Sequence, residues 1–404
     1  MSSSTVVEPE SVDRRHAVPV LILGDGITAL GAMRCLGRRG VPLYIAGSRV
    51  GVITRSRWYR PLPEEGPNEF SEQDLGPRLE QLTIRRMVLL PCSDAWVMAV
   101  SQLKPELATR FSSSVAPPET LQQMVDKEFF AETLVRLGLP HPRTVVLREP
   151  GALEAVPEDQ LQGCFLKPNQ STVFAQCYGV KALRFRDRAE ALRLFRDASA
   201  KGIKVMLQEF IPGPPARHVF VEGFMDRHGR ICGLLARRRI RMFPDEFGNS
   251  TLSVSIPLAE VSGAVETMHR LLSAVCYRGV FSAEFKFDER DGLFKLLEVN
   301  ARPWWYVDFA ARCGVDVCGM AYRDALGREI EPVTSYQVGR RCVYPRLDLQ
   351  NWLGDRGARA LNGWSLLQSW IGAHQPFFSW EDPVPGIVGL YSWIKKRSQQ
   401  WLDH

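Results

Sequence analysis

The sequence predicts an α/β (α+β) fold of several packed layers, and three observations carry that expectation. Strand-length apolar runs and helix-length periodic stretches alternate over roughly the first hundred residues, the pattern of a layered α/β domain. β-patterned segments then crowd together between residues 204 and 302, which a purely parallel βαβ repeat would not produce. The chain has 404 residues, 45% hydrophobic and 24% charged, enough for two or three packed domains.

Taken in order, Pro19-Val-Leu-Ile-Leu-Gly24 is the first strand, a helical pattern runs to Gly40, and Val41-Pro-Leu-Tyr-Ile-Ala46 is the second strand. This is the β-turn-α-β form of a dinucleotide-binding unit, yet Gly24-Asp-Gly-Ile-Thr-Ala-Leu-Gly31 lacks the GxGxxG spacing. Its glycines are therefore read as packing helix tightly on strand. Met87-Val-Leu-Leu-Pro91 is a further strand, and Cys92-Ser-Asp94 caps the helix after it. Thr120 to Gly138 reads as one helix with a Gly stop, and Leu139-Pro-His-Pro142 as an extended linker. Strands are expected at Thr144–Leu147, Cys164–Pro168, Val180–Phe185 and Lys204–Ile211, the last stopped by Pro212-Gly-Pro-Pro215, with a helix over Asp187–Ala200. Val219–Met225 and Ile231–Arg239 alternate as strands, and Glu260–Val275 is helical. Beyond residue 336 the chain is Trp-rich and less periodic. Tyr391–Leu402 is expected to form an amphipathic helix that packs on the fold or joins two copies in a homodimer.

Composition narrows the function class. No apolar run approaches the length of a membrane span, and Met1–Ala17 is Ser- and charge-rich without the apolar stretch of a secretion signal. The nine cysteines are scattered, form no CxxC pair and mostly adjoin apolar residues. Buried, reduced thiols in a cytoplasmic protein are the expectation. The net charge of +6 is mild for this length. It does not argue for nucleic acid, and it suits anionic small-molecule substrates.

The chemistry-bearing stretch is Phe281-Ser-Ala-Glu-Phe-Lys-Phe-Asp288 followed by Phe294-Lys-Leu-Leu-Glu-Val-Asn-Ala-Arg302, two alternating strands joined through Glu289-Arg-Asp-Gly292. Alternation puts Glu284, Lys286 and Asp288 on one face of the first strand, and Glu298, Asn300 and Arg302 on one face of the second. If the strands pair antiparallel, two carboxylates and an amide oxygen converge, an oxygen-only donor set that suits Mg²⁺. The plainer alternative is a solvated hairpin face with scattered charges. Elsewhere, Lys167 stands inside the apolar run Phe165-Leu-Lys-Pro168, where an ammonium needs a partner. Arg237, Arg239 and Arg241 share one face of a strand, with Arg238 on the other, as a functional array or as a basic strand edge.

This hairpin resembles the metal-binding hairpin of the ATP-grasp superfamily, whose second strand carries Glu-x-Asn-x-Arg; here Ala301 stands where Pro is usual, and Pro303 follows the Arg. Asp126-Lys127 followed by Leu137-Gly-Leu-Pro-His-Pro-Arg-Thr144 and Gln208-Glu-Phe-Ile-Pro-Gly213 fit the same family in the same order. The resemblance spans about residues 19 to 328 and implies an ATP-grasp fold with an N-terminal Rossmann-like pre-ATP-grasp domain. The expected division is a disordered tail over 1–17, the Rossmann-like domain over 18–116 and a small clamp over 117–205. A large subdomain with the metal hairpin spans 206–335, and the Trp-rich C-terminal region 336–404.

By the same resemblance, Lys127 reaches the α-phosphate of ATP, Lys167 lies over the α- and β-phosphates, and Lys181 is a further phosphate contact. Gln208, Glu209, Phe210 and Ile211 form the hinge at the adenine edge, and His218 stands where some members use a His near the ribose. Asn169 to Lys181 is expected to be a polar phosphate-covering loop with Gly179 as its single glycine, as in D-aspartate ligases and related carboxylate–amine ligases. Glu284, Glu298 and Asn300 would hold Mg²⁺, with Mn²⁺ as an alternative. Arg302 and one arginine of the 237–241 strand, with Arg237 and Arg241 as the named candidates and the choice left open, would face the transferring phosphoryl group or the substrate carboxylate. The implied reaction is amide formation from small-molecule carboxylate and amine substrates through an acyl phosphate. A carboxylase-like enzyme or kinase, or a non-catalytic ATP-binding protein, is the alternative.

Overall fold

A computed structural model of the chain describes residues 17–47, 51–63, 69–169, 171–354 and 361–402. The expected N-terminal tail, Ala17 apart, lies outside them.

The first layer is a parallel sheet of β1 (Val20–Leu23), β2 (Leu43–Ala46), β3 (Met87–Pro91) and β4 (Phe111–Ser112), in the order β2-β1-β3-β4. Both faces are covered, as a parallel sheet requires. Leu21, Leu23 and Leu89 enter one core, while Val20, Ile22, Val88 and Leu90 enter another. Of the glycines after β1, Gly31 packs helix on helix and not, as expected, helix on strand, and Gly26 has no atom within 4 Å of where a Cβ would stand. A Cβ on Gly31 would come within 2.9 Å of Val307, so the Gly26–Arg38 helix lies directly against the Val307–Cys313 helix.

The clamp is a small antiparallel sheet of β5 (Thr144–Val146), β6 (Cys164–Pro168), β7 (Leu183–Arg184) and β8 (Val205–Glu209), ordered β5-β8-β6-β7. Three expectations change here. The boundary expected at 205/206 cuts through the start of β8, which is an inner strand of the clamp. Alternation specifies a strand but not its partner sheet. The helix expected over Thr120–Gly138 is two helices, Pro118–Val125 and Lys127–Arg136, because the Asp126 carboxylate accepts the Glu128 and Phe129 N–H groups and starts a new helix. Leu121, Met124, Phe130 and Leu134 pack into the core of the large domain and not into the clamp. The expected loop over 169–181 contains a helix, Ser171–Tyr178, whose Phe174 is fully buried in the clamp core.

The largest layer is an antiparallel sheet of β9 (His218–Met225), β10 (Ile231–Phe243), β11 (Asn249–Ile256), β12 (Gly279–Asp288), β13 (Leu293–Asn300) and β14 (Arg341–Val343), ordered β13-β12-β9-β10-β11-β14. The Ser262–Ala274 helix covers one face through Met268, Leu271 and Leu272 against Phe281 and Phe285. Helices Val307–Cys313 and Val317–Ala325 cover the other and share a core with the first layer.

The C-terminal helix begins at Pro383, not Tyr391. Gly386 and Gly389 weakened its helical pattern, and both serve contact: a Cβ on Gly389 would meet the Phe377 ring at 2.4 Å. The segment before it is fastened by the fully buried Arg34, which donates to the carbonyls of Pro376 (2.9 Å), Phe377 (3.1 Å) and Asp382 (3.1 Å) and pairs with the Asp382 carboxylate.

Candidate active site

The hairpin pairs antiparallel with Glu284 directly opposite Glu298 and Ser282 opposite Asn300. Directly opposed side chains on one sheet face sit ~5 Å apart at Cβ. β13 carries one extra residue, Leu297, between Glu298 and Leu296, where the register shifts. The Leu297 carbonyl there accepts a hydrogen bond from Lys167 Nζ at 3.2 Å.

The two carboxylates are in different states. Glu284 Oε1 contacts His218 Nδ1 at 2.7 Å and Arg239 Nη2 at 3.0 Å. Burial pushes its carboxyl up, but Arg239, the His218 hydrogen bond and Arg237 outweigh burial and hold it well below the usual carboxylate range. Burial pushes His218 down, against the pull of Glu284, so a neutral imidazole faces a charged carboxylate. The Glu298 side chain, half-buried, makes no hydrogen bond or ion pair among the described residues. Its charge acts on the ammonium groups of Lys127, Lys167 and Lys181. An ionised, paired carboxylate beside one with no such partner, with the Asn300 oxygen next along the strand, fits a hard divalent cation.

The three lysines converge from separate elements. Lys167, in β6, donates to Gln208 Oε1 (3.1 Å) as well as to Leu297. Lys127, at the first turn of its helix, donates to the Pro168 carbonyl at 2.7 Å, while its own N–H is held by Asn169 Oδ1. Lys181 bridges from the clamp to Asn249 Oδ1 of β11 at 2.7 Å. Burial lowers all three; for Lys127, burial and then the Lys167 charge bring the ammonium down to about 8. Such clustered cations are costly unless anions offset them, which is the state a polyphosphate relieves.

Between the clamp and the six-stranded sheet these groups line a cavity of about 220 Å³. Lys127, Lys167, Lys181, Gln208, Glu209, Phe210, Ile211, His218, Glu284 and Glu298, all expected from the sequence, reach it. Phe165, Phe210 and Phe247 touch one another there as an apolar wall, with the Arg184 guanidinium 4.0 Å above Phe210. Gln208 also donates to Thr144 Oγ1 at 3.0 Å, and Glu209 pairs with Arg290 at 2.7 Å. A second cavity of about 300 Å³ shares the three lysines, Gln208 and Glu298, and contains Asn300 and Arg302. Arg302 donates to Asn300 Oδ1 (3.0 Å) and pairs with Asp94 of the first layer at 2.8 Å.

The arginine strand departs from expectation. Arg237 lies beneath the site, 3% exposed, pairing with Glu222 at 2.9 Å and stacked 3.6 Å from Phe220. Arg241 turns to the C-terminal region, where Asp348 and Ser369 take its guanidinium. Neither lines the cavity; Arg239 does. For Arg241 the cause is a β-bulge: Arg239 pairs with Ser253 and Arg241 with Leu252, so Ile240 is extra and the alternation breaks between them. Arg237 keeps its register with Arg239 and is held away from the cavity by its pairing with Glu222. Arg239 belongs to the strand from which one unspecified arginine was expected to face the site, and Lys286 was placed in phase without a role. Phe247 carried no sequence signal.

No protein-family model matches the chain. It is 25% identical over 260 residues to a D-aspartate ligase of Enterococcus faecium (strain Aus0004), a match covering 62% of each protein. The chain thus spans less than two thirds of that relative. Among solved structures it is similar to N5-carboxyaminoimidazole ribonucleotide synthetase of Thermus thermophilus (TM-score 0.60, 18% identity, 80% of this chain and 82% of that one). It is also similar to an L-amino acid ligase from Bacillus licheniformis (TM-score 0.55, 15% identity, 78% of each chain). With this layering and these neighbours, the chain has the ATP-grasp fold and resembles the D-aspartate ligase-like carboxylate–amine ligases.

Proposed function

We propose that the protein is an ATP- and Mg²⁺-dependent ligase that joins a small carboxylate to an amine through an acyl phosphate. The observation that carries this reading is the in-register pair Glu284 and Glu298 facing Lys127, Lys167 and Lys181 across one cavity. Carboxylates that hold a cation and ammonium groups that hold phosphates are the two halves of a nucleotide triphosphate site. The D-aspartate ligase relative and the L-amino acid ligase neighbour support the choice of carboxylate and amine substrates.

In this reading the Phe165, Phe210 and Phe247 wall and the hinge from Gln208 to Ile211 hold the base. The three lysines hold the phosphates. Glu284, Glu298 and Asn300 would hold Mg²⁺, which would neutralise charge on the phosphates. Arg239, fixed by Ser250 (2.9 Å) and Glu284, stabilises charge on the transferring phosphoryl group from a position that needs no rearrangement. Arg302, in the adjoining cavity, orients the substrate carboxylate, whose oxygen attacks the γ-phosphorus and releases ADP. The amine then attacks the acyl carbon and releases phosphate. The clamp excludes water from the acyl phosphate between these steps.

The test is release of ADP and phosphate from Mg²⁺–ATP across a matrix of amino acids and small carboxylates, with product masses. Release that requires both an acid and an amine, with an amide mass, is the expected outcome. Release with bicarbonate in place of the acid would move the reading to a carboxylase, and ATP binding without turnover across the matrix would refute catalysis.

A further inference from the structure

The C-terminal region presents apolar side chains outward on two helices. On the Gly363–Trp370 helix and its end, Trp364, Leu367 and Ile371 are exposed at helical spacing, while Leu366 is buried inward. On the Pro383–Leu402 helix, Val384, Ile387, Tyr391 and Ile394 form a second exposed stripe at i, i+3, i+7 and i+10, with Leu390 beside it. Between them Trp380 is 89% exposed. Single exposed apolar residues are ordinary, but a run of large ones in one region marks a contact surface.

Charge and residue type argue for what covers it. Residues 340–402 hold six of the ten Trp of the chain, and eight Lys and Arg against four Asp and Glu. The acids there are mostly withdrawn: Asp348 and Asp382 are buried against Arg241 and Arg34, and Glu381 faces Arg38 and Arg312. Arg340, Arg341, Arg346 and Lys395 are exposed. Trp and Tyr with apolar stripes and a cationic border are the composition of a surface that lies in the headgroup layer of an anionic bilayer. Among the described residues no helix is long and apolar enough to cross a membrane.

We propose that the Gly363–Trp370 and Pro383–Leu402 helices seat this protein on an anionic lipid surface. The ligase reading is not needed for this. The test is co-sedimentation of the full chain with phosphatidylglycerol/phosphatidylcholine vesicles and with pure phosphatidylcholine vesicles, at low and high salt. Preferential binding to the anionic vesicles, weakened by salt, is expected. Ile387→Asp with Ile394→Asp should abolish it, with an unchanged circular dichroism melt as the control for folding. Lys395→Glu, which reverses an exposed charge, should weaken it about tenfold. Binding to neither vesicle would overturn the proposal. So would a dimer of the wild type that the Ile387→Asp/Ile394→Asp variant converts to monomer, which would show a second copy on this face.

Discussion

The Glu284–Glu298 hairpin and the arginine strand are two stretches of the same sheet in which the sequence puts charged residues in phase, and the fold treats them differently. Both contain a β-bulge. In the hairpin the extra residue is Leu297, adjacent to the Glu284–Glu298 pair, so the pair and the Ser282–Asn300 pair keep their register. In the arginine strand the extra residue is Ile240, between two of the three residues whose shared face mattered. Alternation therefore survives in one and fails in the other. A period-2 reading is only as good as the register between the residues being compared. The bulge separates Arg239, which faces the cavity, from Arg241, which anchors the C-terminal region, while Arg237, in register with Arg239, pairs with Glu222 beneath.

The largest effect expected from this comparison is in the hairpin. Glu298→Gln removes the carboxylate that has no partner among the described residues, and should lower kcat by about 10³-fold in an ADP-release assay. Near-wild-type turnover would end the metal assignment. The arginine strand supplies a sharper contrast. Arg239→Ala should cost about 10²-fold in kcat. Arg241→Ala should leave kcat within about threefold and instead lower stability to urea by about 3 kcal/mol, because Asp348 loses its charge partner while buried. Equal kinetic losses in the two variants would mean that the bulge does not divide their roles.

The smallest effect is a pH dependence. Burial and Lys167 bring Lys127 down to about 8, so its positive charge is lost as pH rises through that value. The KM for ATP should rise severalfold between about pH 7 and 9 in the wild type and stay flat in Lys127→Arg, whose guanidinium remains charged. A flat wild-type profile would remove Lys127 from phosphate binding. The same shift acts on folding with the opposite sense. Below about pH 8 the folded protein carries a charge that burial disfavours, and above it the unfolded lysine binds the extra proton. The stability of the protein without nucleotide should therefore gain from this group as pH rises from about 8 towards the ordinary lysine value.

The ATP-grasp resemblance, and no local rule, singled out Lys127, Lys181, Gln208 to Ile211 and His218. What the sequence determined by itself was the layered α/β class, most of the strands, and the in-phase Glu284 and Glu298 and the strand lysine Lys167, which reach one cavity. These features depend on local rules: alternation, capping, and the cost of placing Lys167 in an apolar strand. The packing partner of Gly31 was not legible: the sequence led to a strand, and the fold places the Val307–Cys313 helix there. The tertiary structure alone decided which sheet received β8, and that residues 171–178 would form a helix with Phe174 buried in the clamp core. It alone decided which arginine of three lines the cavity between the clamp and the six-stranded sheet, and it brought Phe247 against Phe165. The physical reason is common to all of these. Alternation fixes which residues can share a face, but partner choice, bulges and contacts between distant segments are set by how whole layers fill space against one another.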